Sequence, residues 1–381
     1  MPWSAWFFPF LAVAFYALST LTGFGGTFTP SPAGIGFATA LVPVLFGAVF
    51  AAVYHAEVIA HRTGEPYGTL VLTVAVTVIE VALITTVMLS NGDDATNTAT
   101  IARDTVFAVV MIVCSGLVGI CIFVGGLHHH EQGFRVTGAA SYLAVLQAMC
   151  VLVLVLPNYT VSVPGPVYGK SQLIFVSVVT IALYGVFLYI QTVKHRDYFI
   201  MNVWKKSDLA PEDLGADGST SDGHAGDVPS NREVAISGVF LMIALTGVIL
   251  LAKKFAAVAE AATTAIGAPD AVVGVVVALV ILLPEGVAAV NAARNNELQK
   301  SINLALGSTL ATIGLTIPTI AVVSLVIGQT LVLGLDNKDA LLMLLTLGIS
   351  ILTFGSGRTN LLFGFVHIVV FATFLFLTFV P

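Results

Sequence analysis

An all-α polytopic membrane protein, with about eleven transmembrane helices arranged as one leading helix and two inverted five-helix repeats, is the fold class predicted by three features of the sequence. The first is composition: of 381 residues, 57% are hydrophobic and 9% charged, against about 25% charged in soluble domains. No soluble core hides that much apolar surface. The second is a series of eleven apolar runs, each long enough to cross a bilayer at about 1.5 Å rise per residue. The third is recurrence. Ala56-Glu57, Gly64-Glu65-Pro66 and Glu80 are echoed by Ala259-Glu260, Gly267-Ala268-Pro269 and Glu285, with offsets of 203 residues at the first acid and 205 at the second.

The runs cover 4–22, 33–60, 67–90, 104–127, 139–157 and 170–193, then 236–264, 269–292, 301–327, 339–355 and 360–380. The first, Met1-Pro2-Trp3-Ser4-Ala5-Trp6 onward, lacks a positive n-region and reads as a retained helix. Trp3 and Trp6 suit an interfacial belt. Cys114, Cys121 and Cys150 lie within apolar runs and imply neither disulfides nor a Cys-rich metal site. Lys253 and Lys254 interrupt the run 236–264 and are expected to snorkel near a helix end. Between the halves, acids alternate with Gly, Ser and Pro in a composition that builds no core. Asp217-Gly-Ser-Thr-Ser-Asp222-Gly-His224 within it lacks EF-hand spacing. The domains are thus a leading helix (1–30), a first repeat (31–193), an acidic hydrophilic segment (194–234) and a second repeat (235–381). Because each repeat has an odd number of spans, the second enters the membrane from the opposite side, as in many secondary transporters. Ten of the 15 Lys and Arg residues fall on the side of the central segment, which predicts that this side is cytoplasmic. The expected location is the inner (plasma) membrane. The lipid bilayer is the expected partner, nucleic acid is not, and the oligomeric state is left open.

Glu80 and Glu285 lie within apolar runs, at membrane depth. Charge is costly there, so such an acid reads as an ion or proton site facing the bundle interior. Pro284 frees a backbone carbonyl one turn earlier. Thr73 and Thr77 share a helical face with Glu80, and hard cations take such oxygen ligands; hydroxyls bonded to their own backbone are the alternative. Ala288, Ala289 and Ala292 follow Glu285 at helical spacing and admit a close neighbour. The next run offers Asn303, Gly307, Ala311 and Gly314 on one face, with Ser308 and Thr312 beside it. These residues read either as oxygen donors to Glu285 or as packing positions. Asp104 is expected to cap the start of its helix. Glu57 and His61 share a face near a membrane end, with Glu260 in the matching place of the second half. They read as a proton relay or as solvated helix ends. His128, His129 and His130 read as a pH sensor or a short exposed loop.

His55-Ala-Glu57-Val-Ile-Ala-His61-Arg-Thr-Gly64-Glu-Pro66-Tyr-Gly68, Val78-Ile-Glu80-Val-Ala-Leu, Ala102-Arg-Asp104-Thr-Val-Phe, Pro284-Glu285-Gly286, Asn303-Leu-Ala-Leu-Gly307-Ser308 and Gly355-Ser-Gly-Arg-Thr-Asn360 together resemble the bacterial ChaA-type calcium(sodium)/proton antiporters of the calcium/cation antiporter superfamily. The resemblance runs from about residue 33 to the end. It implies that Glu80 and Glu285, one from each repeat, bind cation or proton at the midplane, with hydroxyl, amide and carbonyl oxygens completing the site. Thr77, Asn303 and Ser308 are the candidates for these. The family pattern Gly-Asn-x-x-Glu is broken, since Thr77 and Leu282 stand where Asn is usual.

The expected function is antiport of calcium, with sodium or potassium as further substrates, against protons, and no cofactor. The same oxygen ligands also serve a sodium or potassium/proton antiporter that does not carry calcium. An intramembrane hydrolase is disfavoured, because His55 and His61 are six residues apart and face different ways, unlike His-Glu-x-x-His. A channel would conduct without proton coupling.

Overall fold

The computed structural model describes residues 2–23, 31–64, 67–90, 95–199, 229–269 and 271–380. Glu65, Pro66, Asp270 and most of the acidic segment, including Asp217 to His224, lie outside the described residues. Thirteen α-helices follow in order: α1 (Trp3–Leu21), α2 (Pro32–Thr63), α3 (Tyr67–Ser90), α4 (Ala95–Met111), α5 (Val118–His129), α6 (Val136–Cys150), α7 (Lys170–Tyr189), α8 (Asn231–Ala265), α9 (Ala271–Arg294), α10 (Leu298–Ala311), α11 (Ile317–Ile327), α12 (Asn337–Phe354) and α13 (Leu361–Phe379). A π-helical turn, Ile112–Leu117, joins α4 to α5, and another, Thr312–Thr316, joins α10 to α11. Each joined pair therefore forms one span. Among the described residues ten helical stretches are long and apolar enough to cross a membrane, and α3 adds the shorter apolar stretch Val71–Thr86. All eleven predicted runs fall on these spans.

Local chemistry sets the helix ends. Ser31 accepts from the Gly34 amide at 3.1 Å ahead of Pro32, and α2 stops at Gly64, whose φ of 66° suits glycine. At α8, Ser230 and Glu233 cap reciprocally, at 3.3 and 2.7 Å. Asp336 caps α12 and Asn360 caps α13.

Two short pairings make the inverted relation visible. Strand β1 (Glu131–Gly133), after the third span of the first repeat, pairs antiparallel with β2 (Arg358–Asn360), before the fifth span of the second. At the other end of the bundle Val167, before the fifth span of the first repeat, bridges Val332, after the third span of the second. Exchanging the repeats maps one pairing onto the other and carries it to the opposite face. The π-turns obey the same exchange. A Cβ on Gly116 would meet the Phe371 ring of α13 at 3.1 Å, and one on Gly314 would meet Tyr184 of α7 at 2.7 Å. Each π-turn thus uses a glycine to seat an aromatic residue from the fifth span of the opposite repeat.

The structure corrects two expectations. Asp104 is not a helix cap: α4 starts at Ala95, because polar Ala95-Thr-Asn-Thr continues the helix, and Asp104 instead pairs with Arg103 at 2.8 Å. Lys253 and Lys254 are not near a helix end, since α8 continues to Ala265. Lys253 is exposed, whereas Lys254 is buried with its ammonium 5.4 Å from the centre of the Tyr16 ring of α1. The leading helix packs on α2 and α8, where Gly247 admits Ala12 at 2.8 Å from its would-be Cβ.

Candidate functional site

Glu80 stands on α3 and is 1% exposed. One carboxylate oxygen, Oε2, accepts from Thr316 at 2.7 Å and from Thr312 at 3.1 Å, both on the π-turn between α10 and α11. Its other oxygen, Oε1, is buried without a protein partner. A buried carboxylate oxygen left in that state calls for a proton or a cation. Glu285, half-buried on α9 one residue after Pro284, accepts from Ser308 of α10 at 3.0 Å. The two carboxylates interact electrostatically.

Glu80, Glu285, Thr77 and Ser308 all line one cavity of about 680 Å³. It runs from these acids to Gly64 and Lys300, at the helix ends on the side of the central segment. Glu57 and His61, both exposed, line its mouth. At the opposite end of the bundle the connection after α11 bonds to α4 and to the turn Val151–Val155: Val332 N–H to Ala99 O at 3.1 Å, Leu335 N–H to Leu154 O at 2.8 Å, and Arg103 Nη1 to Gly334 O at 3.3 Å.

Several sequence candidates are placed differently from one another. Asn303 lines the cavity, but its amide nitrogen donates to Phe199 O at 2.7 Å and its amide oxygen accepts from Gln299 at 3.0 Å, so its polar atoms tie helix ends together near the mouth. Glu260 is exposed on α8 and does not line this cavity. His55 is buried away from it, its Nε2 2.9 Å from Ala5 O, so His55 and His61 do not converge. His128 and His130 are exposed, and His129 Nε2 lies 2.8 Å from the Arg294 carbonyl oxygen.

Thr316 was not legible as a site residue. The available signal was a hydroxyl every fourth residue, Ser308, Thr312 and Thr316, along one helix face. The site is also unequal between the repeats. All three hydroxyls that bond the acids come from the α10–α11 span, while the equivalent turn of the first repeat, Ile112-Val-Cys-Ser-Gly-Leu117, bonds neither acid. Its Ser115 donates to its own backbone at Met111 O, and the backbone of Cys114 is bonded by the buried His367 ring, whose Nε2 lies 3.0 Å from Thr353 Oγ1.

Comparison with known proteins places these features. The description of the sodium/calcium exchanger protein family matches residues 33–193 and 236–380. The chain is 44% identical over 338 residues to the putative ionic transporter y4hA of Sinorhizobium fredii, covering 89% of this chain and 87% of that protein. It is 37% identical over 336 residues to the sodium-potassium/proton antiporter ChaA of Escherichia coli, covering 88% and 86%. Among solved structures it resembles native YfkE (TM-score 0.71, 16% identity, 99% of this chain and 100% of that one) and the H+/Ca2+ exchanger CAX (TM-score 0.65, 14% identity, 96% and 88%).

Proposed function

The chain belongs to the sodium/calcium exchanger protein family, and from that premise we propose that it exchanges a cation for protons at Glu80 and Glu285. The observation that carries this reading is the meeting of one acid from each repeat on a single hydroxyl-bearing span, within a cavity whose lining extends toward the face of the central segment. Proton and cation compete for the same carboxylate oxygens. Loaded with two protons, two monovalent cations, one of each, or one divalent cation, the site is close to neutral; empty, it would carry two charges through the membrane at a cost that forbids the movement. That penalty couples the two fluxes, and the repeats rock around the site to expose it to each face in turn.

Sodium and potassium are the cations this reading favours. The relative that shares 37% of its residues over most of both chains is a sodium-potassium/proton antiporter, and Leu282 and the first π-turn bring no polar side chain to the acids, whereas calcium takes six to eight oxygens. Calcium is the second reading, favoured by the pairing of two carboxylates, which matches a divalent charge. Thr77 serves as a further oxygen donor near Glu80, while Asn303 shapes the mouth. Glu57 and His61 pass protons between the mouth and the acids, and Glu260 takes their place when the cavity opens to the other face.

The test is proton movement in inside-out vesicles holding the purified chain, followed with a pH-sensitive dye while sodium, potassium and calcium are added separately. Responses to sodium and potassium with little to calcium support the favoured reading. A response to calcium alone replaces it with the second. Silence toward all three, from folded protein, removes cation/proton exchange.

A further inference from the structure

A second concavity lies on the membrane side of the ion site. It has a volume of about 350 Å³ and sits between the α4–α5 span and α9, lined by Ile120, Leu283, Val287, Phe371 and the glycines Gly116 and Gly286. Ile120, Leu283 and Val287 are all exposed, so the groove opens to the hydrocarbon. At Gly116 the Phe371 ring covers the backbone, but at Gly286 the groove is open, since a Cβ there would meet only Leu117, at 3.7 Å.

Its dimensions and its charged end point to one occupant. Along α9 the lining runs from Leu279 to Asn291, which at ~1.5 Å per residue is about 18 Å, roughly the depth of one leaflet of a ~30 Å core. Apolar for nearly its whole length, it turns polar only at Asn291, one helical turn before Arg294. Arg294 is exposed, and among the described residues it forms no ion pair. The His129 imidazole, 2.8 Å from the Arg294 carbonyl oxygen, stands beside it across the α5–α9 contact. The acids nearby are already engaged: Glu297 with Lys300 at 3.2 Å and Glu131 with Arg358 at 3.9 Å. An apolar slot one leaflet deep, with an exposed arginine that forms no ion pair among the described residues one helical turn beyond its polar end, fits one acyl chain of an anionic phospholipid, with the headgroup phosphate on Arg294.

We infer that this groove is a binding site for one anionic phospholipid, whose acyl chain braces α9 against the first π-turn directly behind Glu285. Gly286 follows Glu285 in the chain, and Ile112 to Leu117 form both the π-turn and part of the groove wall. The bound lipid therefore sets the spacing of the helices that hold the second acid. This regulatory consequence rests on Glu285 being the ion site, but the binding does not.

Native mass spectrometry of the delipidated full chain in detergent, titrated with phosphatidylglycerol or with phosphatidylcholine of the same acyl chains, reads the binding alone. Wild type is expected to retain one phosphatidylglycerol with a preference of about fivefold over phosphatidylcholine, from one arginine at the membrane surface. Ile120→Trp, which fills the slot from its open side, loses the retained lipid. Arg294→Gln keeps a lipid but loses the headgroup preference. Val287→Trp replaces Ile120→Trp if that variant does not fold. Equal retention of the two lipids by wild type, or wild-type retention by both tryptophan variants, overturns the site. Transport is then compared in vesicles with and without phosphatidylglycerol. Wild type responds to it and Ile120→Trp does not; a lipid response that Ile120→Trp shares overturns the regulatory role. Failure of the ion-exchange reading shows differently, as absent flux in every lipid with retention unchanged.

Discussion

Glu80 is held by two hydroxyls on one oxygen and by nothing from the protein on the other, and in the proposed exchange this imbalance would let it swap one guest for another. Both donors would serve a bound cation as ligands once their protons turn away. Thr316 gives the shorter bond, so Thr316→Val is expected to raise the cation concentration needed for half-maximal proton flux by about tenfold, taking ~1.5 kcal/mol for a hydrogen bond to a charged group. Thr316→Ser should stay near wild type. Because protons and cations compete, apparent cation affinity should rise with pH, by up to about tenfold per unit for each proton displaced, and flatten once the carboxylates are ionised; flux titrations at a series of pH values read this directly. His367 plays a different part. It joins Thr353 of α12 to the first π-turn without touching the cavity. His367→Leu leaves buried polar groups unpartnered at a cost of about 1–3 kcal/mol, so the thermal transition should fall while flux per folded molecule is kept.

Helices meet here through glycines, and at Gly364 of α13 the neighbour is backbone: a Cβ would lie 2.6 Å from the Phe123 nitrogen. Gly364→Ala should therefore abolish recovery of folded protein, whereas Gly348→Ala, with nothing within 4 Å, should be neutral; size-exclusion chromatography in detergent distinguishes them. At this scale much was readable in advance. Eleven apolar runs gave eleven spans, and the repeated acids fall on α3 and α9, which bring Glu80 and Glu285 to the lining of one cavity. Apolarity marks where a chain crosses a membrane but is silent on where helices extend into polar sequence. That is why α4 starts nine residues before Asp104, and why Lys254 sits in mid-helix over Tyr16. Thr316 lies off the face defined by Asn303 and Gly307, on the row of hydroxyls that Ser308 and Thr312 begin, so the reading of that face did not reach it. Asn303, chosen for its chemistry, is committed to Phe199 and Gln299; such long-range partners leave no trace in local spacing.

Among the described residues the cavity extends toward the side of the central segment, while at the other end Val332 and Leu335 bond to Ala99 of α4 and to Leu154. A cysteine at Leu304, within the cavity lining, should react with a membrane-impermeant thiol reagent from the side of the central segment only, and transported cation should slow the reaction. The natural Cys114, Cys121 and Cys150 are buried and give little background. Labelling from both sides at equal rates would show that the cavity opens as readily to the other face.

The central claim is that one acid from each repeat carries both guests. The most direct measurement is cation-driven proton flux in vesicles for Glu80→Gln and Glu285→Gln, each shown to be folded and inserted. Loss of flux in both variants, with neither cation nor proton moving, is the predicted result. Wild-type exchange by either variant would contradict the account, because a neutral amide at that position can neither release a proton nor balance a cation.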